Sequence, residues 1–357
     1  MNARHTTDRS GSLLKLPRHF IELFTWEKSF KKNPLIGNPW LNRLGLHVAR
    51  VLISHLLFSF RLFLLAPLAN AQQRRFFRRY GYLKLENFLP EETFVRLKDE
   101  IHRYQGEIRE ETEGSTLTQR LYLTQEVLAG LPECAAFSRD RKLLGLLRYA
   151  SSKNRIPFFH LENIVHHASA STRDDPQKDF HTDTFHPCVK AWLYVDDVSA
   201  QNGPFHVVPG SHRLTWKRLC WEYRQSLLAS RKRTDMPENR YWDGSFRVQE
   251  ADMRYLGYGK AVAMEVPANT LLIANVHAIH RRGDARPGAS RMTVWMQARD
   301  NPFNPLFSPF PESTARIFEF FWKRYMNRRT AKKTRQGAWR TRAGGFSTAA
   351  TPAAGEK

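Results

Sequence analysis

Residues 180–185 read FHTDTF. In an extended strand, side chains two apart share a face, so His181 and Asp183 can bind one ion together while Thr182 turns away. A third donor must come from a distant strand, and the stretch ANVHAIHRRGDARPGASRMTV offers His277 or His280. Two imidazoles and one carboxylate on one face of an ion leave the other positions open, the donor set of non-heme Fe(II) oxygenases. Those positions would take O2 and a bidentate 2-oxo acid, whose far carboxylate needs a fixed cation. Arg291 lies on the strand expected after His280, and its planar fork matches a carboxylate. Thr293 lies two further on, points the same way and adds a hydroxyl.

Such residues need a rigid frame. From Tyr80 the chain reads as a short strand, a turn at Pro90 and a helix that opens on Glu91 and Glu92 and carries Leu97 and Ile101 on its apolar face. Residues 115–150 read mostly as helix. Beyond Ile156 come short β-like runs broken by Gly, Pro and Asn: FFHLENIVHHA, KAWLYVDDV, FHVVPGS, AVAMEVP, NTLLIANVH and RMTVWMQA. Several such runs at fairly even spacing predict a mainly β fold with helical additions, a double-sheet jelly roll. Residues 214–259 interrupt them as a polar, aromatic and partly helical insertion, a length that marks an excursion on the substrate side. Its Trp216, Trp221, Tyr223, Tyr241 and Trp242 are suited to cover apolar substrate, and its Lys217, Arg218, Arg231, Lys232 and Arg233 to meet phosphate or carboxylate.

The blocks, taken in order from Arg79 to Arg291, resemble the phytanoyl-CoA dioxygenase family of Fe(II)/2-oxoglutarate oxygenases. RYGYLKLENFLPEETFVRLKDEI resembles its N-terminal strand, turn and helix. HTDTFHPCVKAWLYVDDVSAQNGPFHVVPGSH resembles its longest signature, and the distal His and Arg fit His280 and Arg291. The resemblance implies a double-stranded β-helix with His181, Asp183 and His280 as metal ligands and Arg291 holding 2-oxoglutarate. Related halogenases lack the carboxylate, so Asp183 implies hydroxylation or a related oxidation, coupled to decarboxylation of 2-oxoglutarate to succinate. The family's second contact to 2-oxoglutarate, expected near Asn163 to His167, has no obvious cation here.

Charge and apolarity mark the two ends. Of the formal net charge of +22, residues 1–80 hold +11 (fourteen Lys and Arg against three acids) and residues 311–357 hold +8 (eleven against three), leaving +3 for the middle. A nucleic-acid reader more often carries its basic stripe on the folded domain, so no nucleic-acid partner is expected. The chain divides into a basic segment 1–73, a jelly-roll domain 74–310 and a basic helix and disordered tail 311–357. Within the first, LHVARVLISHLLFSFRLFLLAPLANA reads as an amphipathic helix in which Arg43, His47, Arg50, Ser54 and Arg61 fall on one stripe. About 20 apolar residues span a bilayer, but arginines inside one are costly, so the helix is expected to lie in the interface with its arginines reaching lipid phosphates. RRFFRR at 74–79 repeats the pattern. The other reading packs this helix on the domain's own surface. Three cysteines, with no CxxC, favour a reducing compartment. The expectation is a cytoplasmic enzyme on the inner face of a membrane, hydroxylating a lipid or lipid-linked substrate. A soluble metabolite or acyl-thioester as substrate, or a non-catalytic membrane-surface binder on the same fold, are the alternatives. Oligomeric state is not legible.

Overall fold

The structure is a computed structural model that describes residues 16–153, 157–166, 175–231, 243–298, 301–305 and 339–347, with four isolated positions between 320 and 328. The expectations for His167, Lys232, Arg233, Tyr241 and Trp242 lie outside the described residues, as does most of 311–338.

In chain order the elements are α1 (Leu16–Glu22), α2 (Pro39–Arg43), α3 (Leu46–Leu64), α4 (Ala71–Tyr80), β1 (Tyr82–Leu85), α5 (Glu91–His102), β2 (Ile108–Glu113), β3 (Thr116–Tyr122), α6 (Gln125–Leu128), α7 (Pro132–Ser138), α8 (Arg141–Ser151) and β4 (Phe158–Val165). They continue with β5 (Val189–Tyr194), β6 (Phe205–Val207), α9 (Trp216–Ser230), α10 (Glu250–Leu256), β7 (Val262–Ala263), β8 (Thr270–Asn275), β9 (His280–Arg282), β10 (Ser290–Ala298) and β11 (Trp339–Arg342). Local signals set several boundaries. Asn70 and Gln73 form a reciprocal cap at the start of α4, which ends at Gly81 with φ of 84°. A side chain at Gly81 would also collide with the ring of His212, so the last histidine of the VPGSH block packs over that turn. Asp140 caps α8 by accepting from the Leu143 amide.

The strands form two sheets, as the jelly-roll expectation requires. The larger runs β1-β8-β5-β10-β4-β3-β2-β11 and the smaller β7-β6-β9, with His181 bridging His280 on one side and Arg247 on the other. Alternation along the strands of the large sheet divides its two faces. Ala191, Leu193, Ile273, Met292, Val294 and Leu161 turn outward and pack under Phe94, Leu97, Phe137, Leu143 and Leu147 of α5, α7 and α8. Trp192, Tyr194, Leu272 and Ala274 turn inward and meet Phe205 and Val207 of the small sheet. Residues 339–347 depart from the disordered tail expected there: β11 pairs with β2, and the Ser347 amide donates to Gln119 Oε1.

Residues 16–73, set apart by composition, share cores with the barrel. Phe58, Leu65 and Ala69 join the core beneath the large sheet. Leu23, Phe30 and Ile36 pack with Trp221, Phe246, Val248 and Ile279, making a cap with the 214–259 insertion over the small sheet. The orientation of α3 reverses the expected one. Its polar stripe of His47, Arg50, Ser54 and Arg61 is buried against the protein. Arg50 donates to the carbonyls of Leu23, Thr25 and Glu27, and Arg61 to those of Ser152, Pro302 and Asn304. The arginines therefore do not reach lipid phosphates; backbone carbonyls on the fold's own surface satisfy them. Leu52, Ile53, Leu56, Phe60, Phe63 and Leu64 face outward, with Leu56 70% and Phe63 77% exposed.

Candidate metal centre

His181 leads out of a bridge between Arg247 and His280, and Asp183 follows two residues later with its amide donating to Val276 O at 3.1 Å. The bridge sets the two imidazole rings 4.4 Å apart. One donor atom each from His181, Asp183 and His280 lies within 4.8 Å of the others, the sole such group among the described residues. Asp183 Oδ1 is 3.5 Å from His181 Nε2 and 3.7 Å from His280 Nε2.

The donor atoms are prepared for a cation. His181 Nδ1 donates to Asp179 O and His280 Nδ1 to Ala278 O, each at 2.8 Å. A carbonyl can only accept, so the proton sits on Nδ1 and the Nε2 lone pairs face the gap. Burial, reinforced by His181, pushes His280 down to about 3, which keeps it a neutral ligand. Burial alone would raise the Asp183 pKa, but the Lys190 ammonium, the leading charge beside it, holds it well below the usual carboxylate range. Two imidazoles and one carboxylate on one side of a gap fit Fe(II) with open positions opposite.

His277 is placed elsewhere, which leaves His280 to complete the group. Its Nδ1 donates to Thr184 O at 2.9 Å, and its Nε2 lies 3.3 Å from Arg218 Nη2. Arg218 in turn holds Glu222, which meets His47 of α3 at 2.9 Å.

Arg291 and Thr293 lie on the inward face of β10, alternating with Met292 and Val294 of the outer core. Arg291 is 7% exposed; its Nη1 donates to Gly203 O, and its Nε has no partner among the described residues. A buried guanidinium with an orphaned donor fits an absent anion, as the carboxylate of 2-oxoglutarate would be. The Asn202-Gly203-Pro204 turn thus also steers Arg291; φ of +66° at Gly203 explains its glycine. Thr293 Oγ1 donates to Glu162 O at 3.3 Å.

Several neighbours escaped the sequence reading. Across the large sheet, Tyr194, Thr293, Glu162 and Arg120 form one inward row. Arg120 Nε lies 2.6 Å from Glu162 Oε2, so the buried acid of β4 is paired with a cation from β3. His160, also inward, stacks on Trp295 at 4.8 Å. Lys190 Nζ lies 2.6 Å from Asp183 Oδ2. The alternating run VKAWLY carried that last signal, because Lys190 must share the inward face of Trp192 and Tyr194.

The insertion sits at the metal end of the barrel. Val248 N donates to Phe180 O, Thr182 N to Phe246 O, and Ser245 Oγ to Asp183 O. Its side chains serve differently from expectation: Trp221 is buried in the cap, Arg218 is fully buried in its ion-pair network, and Tyr223 donates to Arg43 O.

Fold and site together define an Fe(II)/2-oxoglutarate-dependent oxygenase. A family model described as phytanoyl-CoA dioxygenase matches residues 77–293, and the chain belongs to that family. Among solved structures it is similar to the non-heme alpha ketoglutarate dependent epimerase SnoN from nogalamycin biosynthesis, with 15% identity, 66% of this chain and 83% of that one covered, and a TM-score of 0.39. It is also similar to AviO1 from Streptomyces viridochromogenes, with 18% identity, coverage of 65% and 96%, and a TM-score of 0.39. HygX from Streptomyces hygroscopicus, with nickel and 2-oxoglutarate bound, gives 18% identity, coverage of 64% and 86%, and a TM-score of 0.38. No curated protein matches the chain.

Proposed function

We propose that this enzyme hydroxylates a lipid or lipid-linked, amphipathic substrate at the cytoplasmic face of an anionic membrane, with His181, Asp183 and His280 as the iron ligands and Arg291 and Thr293 holding 2-oxoglutarate. The observation that carries the membrane part is the reversed helix α3, polar side in and apolar side out. A soluble protein seldom leaves such a face uncovered. Trp40 and Leu44 beside it, and Phe20, Ile21, Phe24 and Trp26 from the preceding segment, are exposed as well. Arg75, Arg78 and Arg79 of α4 are exposed cations suited to anionic headgroups. Although α3 is long and apolar enough to cross a bilayer, its arginines are tied to carbonyls of the fold, which favours lying in the interface.

The same helix lies against the metal loops. Arg50 stacks 4.2 Å over the ring of Phe185, two residues past Asp183. When bound, iron would activate O2 as the oxidant, with 2-oxoglutarate oxidised to succinate and CO2. The chain's own contribution is to orient three donors, fix the far carboxylate and line a dry, aromatic interior with Trp192, Trp295 and Phe205.

The test measures succinate formed by the purified protein with Fe(II), 2-oxoglutarate and O2, against membrane lipids and a matched set of soluble metabolites and acyl-thioesters. Stimulation by a lipid presented in vesicles supports the reading. Stimulation by soluble compounds alone overturns the membrane part, and no iron-dependent succinate under any condition overturns the catalytic part.

A further inference from the structure

We propose that Lys190 is a positioning residue that holds Asp183 to one-oxygen coordination of the metal. The inference rests on the iron-site reading above. Lys190 lies on β5, whose Ala191 and Leu193 enter the outer core, so its side chain shares the barrel interior with Trp192 and Tyr194. There its Nζ forms an ion pair with Asp183 Oδ2 at 2.6 Å, a charge contact rather than an aligned hydrogen bond, while Oδ1 faces the two histidines. The two carboxylate oxygens are thus divided between an ammonium and the ligand group.

The rest of Asp183 is also fixed. Its amide donates to Val276 O, and its carbonyl accepts from Ser245 Oγ at 2.9 Å and from Lys28 Nζ. With the backbone held by the barrel, the insertion and the N-terminal segment, what remains free is rotation of the carboxylate, and Lys190 sets it.

Coordination arithmetic gives this a purpose. A carboxylate can bind a metal through one oxygen or two. On an octahedral ion, two imidazoles and a one-oxygen carboxylate leave three positions, enough for a chelating 2-oxo acid and one small ligand. A two-oxygen carboxylate leaves only two, and the chelating acid would fill them. Lys190 keeps the third position available by occupying the second oxygen. Were Lys190 only neutralising a buried carboxylate, it would become redundant once a divalent ion sat beside Asp183.

The experiment compares wild type, Lys190→Met and Lys190→Arg, each loaded with Fe(II) under argon, and measures the affinity for 2-oxoglutarate by calorimetry. Thermal melts of the loaded proteins establish that each is folded. Lys190→Met should bind 2-oxoglutarate at least tenfold more weakly while still holding the metal, and Lys190→Arg should recover most of the loss. Equal affinity in wild type and Lys190→Met overturns the proposal. So does Lys190→Arg behaving like Lys190→Met, since a second cation should also hold Oδ2. Wild type failing to bind Fe(II) would instead overturn the iron-site reading itself.

Discussion

Replacing Leu56 and Phe63 together with serine tests what the outer face of α3 is for. Both side chains point away from the protein, 70% and 77% exposed, so the change should leave the fold alone. Burying a whole Leu or Phe side chain is worth about 1.5–3 kcal/mol. Scaled by exposure, about 1.5 kcal/mol for Leu56 and about 2 kcal/mol for Phe63 remain to be gained by immersion. Losing about 3.5 kcal/mol should weaken vesicle partitioning by a few hundredfold. Flotation with neutral and with anionic vesicles measures it, and the loss should be similar on both because neither side chain is charged. Salt should weaken binding to anionic vesicles through Arg75, Arg78 and Arg79, not through the buried Arg50 and Arg61. Unchanged partitioning of the double variant would refute the reasoning. A double variant that turns a dimer into a monomer would instead show that the face joins two copies of the chain.

His181→Ala and Asp183→Ala should each abolish iron-dependent succinate formation while melting as cooperatively as wild type; retained turnover in both would refute the ligand assignment. Arg218→Met strands the buried Glu222 with His47 alone, and should cost about 3–5 kcal/mol in denaturant unfolding; a loss under about 1 kcal/mol would refute it. His212 is pushed down to about 4, and His55, His160 and His277 well below their ordinary value, in each case chiefly by burial. The unfolded chain therefore binds more protons than the native one below about pH 6.5, so stability should fall with pH from there toward 4. Each group contributes up to about 1.4 kcal/mol per pH unit. Melting temperatures of chelator-treated protein that stay level between pH 7 and 5 would contradict this.

Much of the metal end was legible because chain spacing decides it. A strand period of two puts His181 beside Asp183, and the same period carries Arg291 and Thr293 to one face of β10. The choice between His277 and His280 was not legible from residue types. It depends on Thr184 O and Arg218 claiming His277, partners far apart in sequence. The stripe on α3 was legible as a stripe, but its direction was not. Periodicity shows that a helix has two faces; which one meets the protein depends on carbonyls at Leu23, Ser152 and Asn304 that no local pattern reveals. Arg120 was missed for a related reason, since an inward charge looks like a surface charge until its neighbour on the adjacent strand is known.

Without β11, strand β2 would be the rim of a seven-stranded sheet, offering a row of unpaired amides and carbonyls to any other chain. Arg340 and Arg342 also neutralise Glu110, whose side chain is almost fully buried. Truncation before Trp339 would strip both protections at once. The shortened protein should self-associate through its exposed rim, and a proline substitution on β2 should restore its solubility.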